Sequence, residues 1–243
     1  MTWWSWTRTS LSKPTANLYI DGFNVYRRLL QRHPQDKRLD LEALAEYVLP
    51  DFEIKRVRYS TAIIKPLPGA DPQSPQRQQA YLRALATLPR TSIHLGKFRI
   101  DPRIMPIHPT KFDSEGKPVT AKVKKTEEKG SDVALASYLL LDAFNDDADV
   151  YVVSTNDSDL VMPMRMVSDD LHRATGLLSP MEPKRSSNEL KQTNPTVHRQ
   201  ITVEALAACQ LPDVIVDSIG KVHRPLKWGL NSEGPDHSEP SNQ

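Results

Sequence analysis

A chain of 243 residues, 38% hydrophobic and 26% charged, is long enough to bury one sizeable core with small appendages at its ends. A net charge of +2 and a pI near 8.6 are too mild to mark a nucleic-acid binder by themselves, and the single cysteine, Cys209, excludes an intrachain disulfide and a multi-cysteine zinc site. No apolar run approaches the ~20 residues of a membrane helix and the first ten residues lack the apolar stretch of a signal peptide, so a cytoplasmic protein with no membrane partner is expected.

Residues 1–16 read as a flexible leader, whose Trp3, Trp4 and Trp6 can stack on bases, on a partner protein or back on the domain. Leu18–Ile20 predicts a short buried strand ending at Asp21-Gly22, and Val25–Leu30 starts a helix. Asp40–Leu49 has an acidic first turn and apolar residues at helical spacing, stopped by Pro50. Glu53–Ile64 alternates charged and apolar residues, as a strand with one wet face does. Pro66, Pro68, Gly69, Pro72 and Pro75 predict a loop before a helix over Gln76–Leu88, and Ser92–Ile100 is the next strand. From Asp101 to Gly130 the alternation lapses into a proline-bearing irregular segment in which Lys117–Lys125 can form a hairpin arm. Ten basic residues oppose five acidic ones between Arg90 and Gly130; any one of them can be a solvated lysine or arginine, but as a group they favour a polyanionic partner.

Ser131–Phe144 is the clearest helix, with Val133, Ala136, Leu139, Leu140 and Ala143 sharing a face. Val150–Ser154 reads as a buried strand, Asp159–Val167 as a helix kinked at Pro163, and Ala174–Leu178 as another short strand. Thr202–Ala208 is predicted helical, Val214–Val216 with Gly220–Val222 forms a terminal hairpin, and the tail from Trp228 reads as disordered. The expected plan is a leader over 1–16, a main domain over 17–180, an extension over 181–227 packing on it, and a tail over 228–243. Alternating short strands and helices argue for an α/β fold, a mainly parallel sheet sandwiched by helices, with ligands at the carboxyl ends of the strands.

At those ends sit carboxylates. Asp21 follows Leu18-Tyr19-Ile20, Asp132 opens a helix, and Asp157 and Asp159 follow the strand Val150–Ser154. Magnesium prefers oxygen ligands and keeps several waters, so two or three carboxylates on rigid elements suffice to hold it against a phosphate. Two ions about 3.5 to 4 Å apart can activate water and steady the leaving oxygen, and no nucleophilic side chain is then needed. Each aspartate has a structural alternative: a strand-ending turn for Asp21, a helix-start acid for Asp132, a helix cap for Asp157 or Asp159. Three separate element ends supplying an acid make the joint case stronger than its parts. Asn24 can orient a carboxylate or stabilise the turn. Ser154 and Thr155 can offer hydroxyls to a phosphate or cap the backbone, and Lys129, Lys124 and Lys125 are candidate phosphate contacts or solvated lysines.

Three segments carry a resemblance: Asp21-Gly22-Phe23-Asn24-Val25-Tyr26, Lys129-Gly130-Ser131-Asp132-Val133-Ala134-Leu135-Ala136 and Ser154-Thr155-Asn156-Asp157-Ser158-Asp159-Leu160. In order and spacing they resemble the signature segments of the NYN domain family, relatives of the PIN-like nucleases, over roughly Leu18 to Leu178. The resemblance implies a PIN-like α/β fold and a Mg2+- or Mn2+-dependent ribonuclease. Asp21, Asp132 and Asp157 would be metal ligands, Asp159 a fourth acid of the catalytic group, and Asn24 part of the same site. The chain departs from the family pattern at Thr155-Asn156, where many members carry a glycine between the serine and the aspartate, and the Trp-rich leader lies outside it.

The leading expectation is an endoribonuclease whose RNA enters over the basic Arg90–Lys129 segment. The alternative is a non-catalytic RNA- or protein-binding module that retains the acidic pocket. An aspartyl-phosphate phosphatase ranks last, since it needs a second Asp two residues after the first and Phe23 stands there. A homodimer or a protein partner stays open.

Overall fold

The computed structural model describes residues 12–65, 69 and 71–229. Leader residues 1–11, with all three of its tryptophans, Pro66 and Pro68 of the proline loop, and the tail beyond Gly229 lie outside the described residues.

Seven strands form one sheet. Strand β1 is Thr15–Asp21, β2 Glu53–Ala62, β3 Thr91–Pro106, β4 Thr120–Lys129, β5 Val150–Ser154, β6 Ala174–Ser179 and β7 Val197–Gln200. Their spatial order is β4-β3-β2-β1-β5-β6-β7, with every neighbouring pair parallel except β3 and β4. The expected mainly parallel sheet is present. Helices α1 (Gly22–Arg28), α2 (Leu41–Val48), α3 (Ser74–Leu85), α4 (Ser131–Phe144), α5 (Val161–Arg165), α6 (Asn188–Lys191) and α7 (Val203–Ala208) complete the α/β frame, with a small hairpin of β8 (Val214–Val216) and β9 (Lys221–His223).

Alternation along the buried strands explains the two-sided cover. Leu18 and Ile20 of β1 enter one apolar cluster with Leu44 of α2 and Leu85 of α3. Tyr19 between them enters the other, with Leu135 and Leu139 of α4 and Met164 of α5. Among the described residues no helix is long and apolar enough to cross a membrane.

Several expected boundaries move. The segment from Asp101 is irregular only between Pro106 and Thr120: β3 continues to Pro106, and β4 returns along it in antiparallel register from Pro106↔Thr120 to Lys97↔Lys129. The hairpin arm is therefore built from both strands, joined through a loop with a type of turn set by Gly116 at φ +77°. The predicted helix after Asp159 is a 3-10 turn over Ser158–Leu160, then α5 with Pro163 inside it, then a π-helical turn over Met166–Asp170. Within the extension over 181–227, β7 is hydrogen-bonded to β6 as the seventh strand of the main sheet. Trp228 is not part of a loose tail either: it is 8% exposed and packs edge-on against Tyr81, ring centroids 6.1 Å apart.

Counted along the chain, the parallel strands spread outward from a starting pair. From β1 the order runs through β2 to β3 on one side, and from β5 through β6 to β7 on the other. At the β1/β5 junction the two series part, and such a switch point opens a crevice outside the carboxyl ends of the strands. Asp21 closes β1 there, and Asp157 follows β5.

Candidate active site

Strand β1 ends and helix α1 begins on the same residue. Asp21 sits in extended backbone, and its Oδ1 accepts the Asn24 N–H at 2.9 Å, capping the helix. Glycine at the next position is required by closeness: a Cβ on Gly22 would lie 2.7 Å from the Tyr59 ring and 2.8 Å from the Ser60 carbonyl. The structural role foreseen for Asp21, ending a strand in a cap, and its functional placement thus coexist.

The end of β5 is tied to that turn. Thr155 Oγ1 donates to Asp21 Oδ2 at 2.9 Å and accepts the Asp157 N–H at 3.0 Å. Asn24 Oδ1 accepts the Asn156 N–H at 3.0 Å, and Asn156 Oδ1 in turn accepts the Ser187 N–H at 2.7 Å, joining the start of α6. Asp157 caps the following 3-10 turn, its Oδ1 accepting the Asp159 N–H at 3.1 Å.

Asp132 arrives on a third element. Gly130 takes the left-handed φ of +95° that turns β4 into α4, and Glu128 Oε1 accepts the Ser131 N–H at 2.9 Å. Asp132 then lies in the first turn of α4, where the helix dipole favours a carboxylate. The helix itself is fixed to the sheet from behind. Arg58 of β2 grips Asp142 of α4 with two hydrogen bonds of 2.6 Å, and Tyr19 of β1 donates to the same carboxylate at 2.8 Å.

Asp21, Asp132 and Asp157 all line one cavity of about 880 Å3. They feel one another. Burial raises the Asp21 carboxyl most, to about 6; the Asn24 N–H and Thr155 hydroxyl pull it back, while the charges of Asp132 and Asp157 push it up. Burial also raises Asp132, followed by the charges of Glu128, Asp157 and Asp159. Among the described residues no three His, Cys, Asp or Glu side chains gather tightly enough to form a ready-made metal cage. The donor set fits Mg2+ or Mn2+ on other grounds: such ions take one or two carboxylates and complete their shell with waters and substrate phosphates.

Of the other residues singled out from the sequence, Asn24 and Lys129 line the cavity, whereas Asp159, Ser154, Thr155, Lys124 and Lys125 do not. Thr155 is 0% exposed, and its hydroxyl is committed to Asp21 and Asp157 rather than open to a phosphate. Ser154 Oγ is buried and has no hydrogen-bond partner among the described residues. Lys125 and Lys129 both pair with Glu127, Lys129 at 3.1 Å. Lys124 and Lys125, being successive residues of β4, face opposite sides of the arm.

Sequence reasoning missed the rest of the cavity wall. Phe23 and Phe98 stack with ring centroids 6.3 Å apart, Arg27 lies 5.9 Å over the Phe23 ring, and Tyr26, Lys65 and Arg77, the last paired with Asp71 at 2.6 Å, also line it. Phe23 stood beside Asp21 in the sequence, but only the pairing of distant strands brings Phe98 to it.

No family model matches the chain. A curated protein, the 6-hydroxy-3-succinoylpyridine 3-monooxygenase HspA of Pseudomonas putida (strain DSM 28022 / S16), is 31% identical over 224 residues, spanning 82% of this chain and 71% of that protein. The chain belongs to that family. Among solved structures, a protein of unknown function, VPA0982 from Vibrio parahaemolyticus RIMD 2210633, aligns with a TM-score of 0.48 at 17% identity, over 83% of this chain and 99% of that one.

Proposed function

We propose that the chain is a PIN-like, metal-dependent ribonuclease that hydrolyses RNA phosphodiester bonds at the acidic end of the cavity. The observation that carries the reading is the arrival of Asp21, Asp132 and Asp157 from three separate elements on one cavity wall, at the switch point of the sheet, with Asp21 raised to about 6. Burial first, and neighbouring carboxylate charge after it, raises Asp21 and Asp132, and carboxylates so placed are held ionised at neutral pH most readily by a cation.

Asp21, Asp132 and Asp157 would hold Mg2+ or Mn2+. When bound, the ion polarises the scissile phosphate and makes the attacking water more acidic. The chain's own residues do the positioning. Thr155 and the Asn24 N–H each occupy one lone pair of Asp21, fixing the carboxylate and leaving the remaining pairs for a ligand. Asn24 clamps the Asn156 backbone, which sets the height of Asp157 above the strand end. Lys129 at the cavity wall supplies positive charge for the RNA backbone.

The test is cleavage of a mixed labelled RNA pool by wild type and Asp157→Asn, side by side in magnesium, manganese and chelator. Metal-dependent cleavage that disappears in the variant is the expected result. Cleavage that survives both chelator and Asp157→Asn would overturn the reading, and RNA binding without cleavage in any metal would leave a binding module.

A second reading is favoured by the relationship to the monooxygenase. A cavity of about 880 Å3 walled by Phe23, Tyr26, Tyr59 and Tyr81 and carrying Arg27 and Lys65 suits a small aromatic acid, rings against rings and carboxylate against cations. Dioxygen uptake on adding 6-hydroxy-3-succinoylpyridine with an electron donor tests it. Substrate-dependent uptake together with an inert RNA pool would replace the first reading with this one.

A further inference from the structure

Beyond the sheet, β3 and β4 continue as a two-stranded arm whose faces differ in chemistry. Cross-strand partners share a face and neighbours alternate. The pairs Phe98↔Glu128, Ile100↔Thr126, Pro102↔Lys124 and Ile104↔Lys122 therefore mark one face, and Arg99↔Glu127, Asp101↔Lys125 and Arg103↔Val123 the other.

The first face leads out of the cavity. Phe98, Thr126 and Glu128 line the cavity wall, together with Glu127 and Lys129 of the other face, which pair with each other, and Phe98 stacks on Phe23, two residues from Asp21. From Phe98 an apolar row runs outward through Ile100, Pro102 and Ile104, and Ile104 is left 73% exposed. Beside it stand Lys122 and Lys124, both exposed and, among the described residues, in no ion pair. The one acid of this face, Glu128, is engaged by the Ser131 N–H.

On the opposite face Asp101 pairs with Arg99, and Glu127 with Lys125 and Lys129. Its cations outside those pairs, Lys97 and Arg103, stand six residues apart, roughly 20 Å along the strand. Lys122 and Lys124 are two residues apart, roughly 6.6 Å, close enough to hold neighbouring phosphates of one chain.

We propose that the Phe98–Ile104 face of the arm is a track for single-stranded nucleic acid, with bases laid on Phe98, Ile100 and Ile104 and phosphates on Lys122 and Lys124. Unpaired strands are taken without regard to sequence by cations along the backbone with an aromatic ring for the bases, here Phe98, which Ile100, Pro102 and Ile104 extend as an apolar surface. From Phe98 to Ile104 the track spans roughly 20 Å, up to about six stacked nucleotides at ~3.4 Å each. Its inner end opens at the acidic cluster, and that direction of feeding rests on the nuclease reading above.

The test measures anisotropy of a fluorescein-labelled single-stranded 12-mer RNA on the full-length Asp157→Asn protein, which holds the strand uncut. Two charge-matched double variants are compared in that background: Lys122→Gln with Lys124→Gln on the track, and Arg99→Gln with Arg103→Gln on the opposite face, each checked for folding by circular dichroism. The track pair should weaken binding by about 10-fold and reduce the slope of log affinity against log salt by about 1.4, while the opposite pair changes affinity less than about twofold. Ile100→Asp with Ile104→Asp should match the loss in affinity, and a duplex of the same sequence should bind worse than the single strand. Equal losses from both charge pairs, or none from the track pair, would overturn the track. So would sedimentation showing that the arm is occupied by a second copy of the chain. Cleavage by the same variants with Asp157 restored separates the two ideas: cleavage with unchanged binding sinks the track alone, and track-dependent binding without cleavage in any metal sinks the nuclease alone.

Discussion

Thr155 Oγ1 donates a 2.9 Å hydrogen bond to Asp21 Oδ2 across 134 positions of sequence, joining the ends of β1 and β5. The same oxygen accepts the Asp157 N–H, so one hydroxyl sets two of the three acids relative to each other. Both Thr155 and Asp21 are buried, at 0% and 4% exposure, and a hydrogen bond to a charged group in such a place is worth about 1.5 to 3 kcal/mol. Thr155→Val should therefore weaken magnesium binding roughly 10- to 150-fold, while Thr155→Ser restores most of it. Calorimetric titration with the metal checks this; wild-type affinity in Thr155→Val would show that the hydroxyl positions nothing.

On the proposed reading, acid should antagonise magnesium. The Asp21 carboxyl is raised to about 6, chiefly by burial, against an ordinary value of 3.8. A raised carboxyl means that the folded state binds the proton more tightly than the unfolded one. Its contribution to metal-free stability is fully present below the ordinary value and is lost as pH rises through about 6. A cation competes with that proton. The rise in melting temperature on adding magnesium should be full near neutral pH and shrink as pH falls below about 6, which differential scanning calorimetry across that range reads directly. In Asp21→Asn the pH dependence of the magnesium effect should flatten.

The support behind α4 is testable as stability. Arg58 and Asp142 have side chains only 11% and 7% exposed, and Tyr19 shares the Asp142 carboxylate. Removing one partner strands the other charge, so Asp142→Ala or Arg58→Ala should cost about 3 to 5 kcal/mol. Replacing both by alanine should cost less than the two single changes summed, because no lone charge remains. Urea denaturation of the four proteins measures the coupling, and simple additivity would argue that the pair does not act as a unit.

Gly96 lies where β3 passes the start of α4. A Cβ there would collide with Glu128 Oε1, and would stand 2.7 Å from the Lys129 carbonyl and 2.9 Å from the Ser131 N–H. Gly96→Ala should push the turn that delivers Asp132 and lower activity at least tenfold, since misplacement by about 1 Å can cost a hundredfold. Stability should fall by only about 1 to 3 kcal/mol, as in other overpacked sites. Comparing turnover with the urea midpoint separates the two effects.

Local signals were legible where the physics is local. Helix α4 follows from its own apolar spacing and matches its predicted limits of Ser131–Phe144, and β5 likewise runs over Val150–Ser154 as read. Asp157 caps the turn that follows it, as its position suggests, whereas Asp40 and Thr202, read as the first residues of their helices, are the caps just before them. The outer half of β3 was read as irregular because Asp101, Pro102, Arg103 and Pro106 satisfy no burial pattern; it is strand because β4 supplies the hydrogen bonds. Strand β7 was missed for a similar reason: Val197-His198-Arg199-Gln200 has one apolar residue, and its edge position beside β6 makes it a strand. Trp228 looked like the start of a loose tail until Tyr81 gave it a surface.

By itself the sequence determined that carboxylates stand at three element ends and that a basic excess lies between Arg90 and Gly130, because caps, breakers and side-chain periodicity act within a few residues of the chain. Only the tertiary structure decided which of those groups share a cavity. It brought Asp21, Asp132 and Asp157 to one wall, left Asp159 outside it, turned the Thr155 hydroxyl into a brace, and sent Lys124 and Lys125 to opposite faces of the arm. The reason is that proximity between residues over a hundred positions apart is fixed by strand order, register and burial, which no local stretch encodes alone.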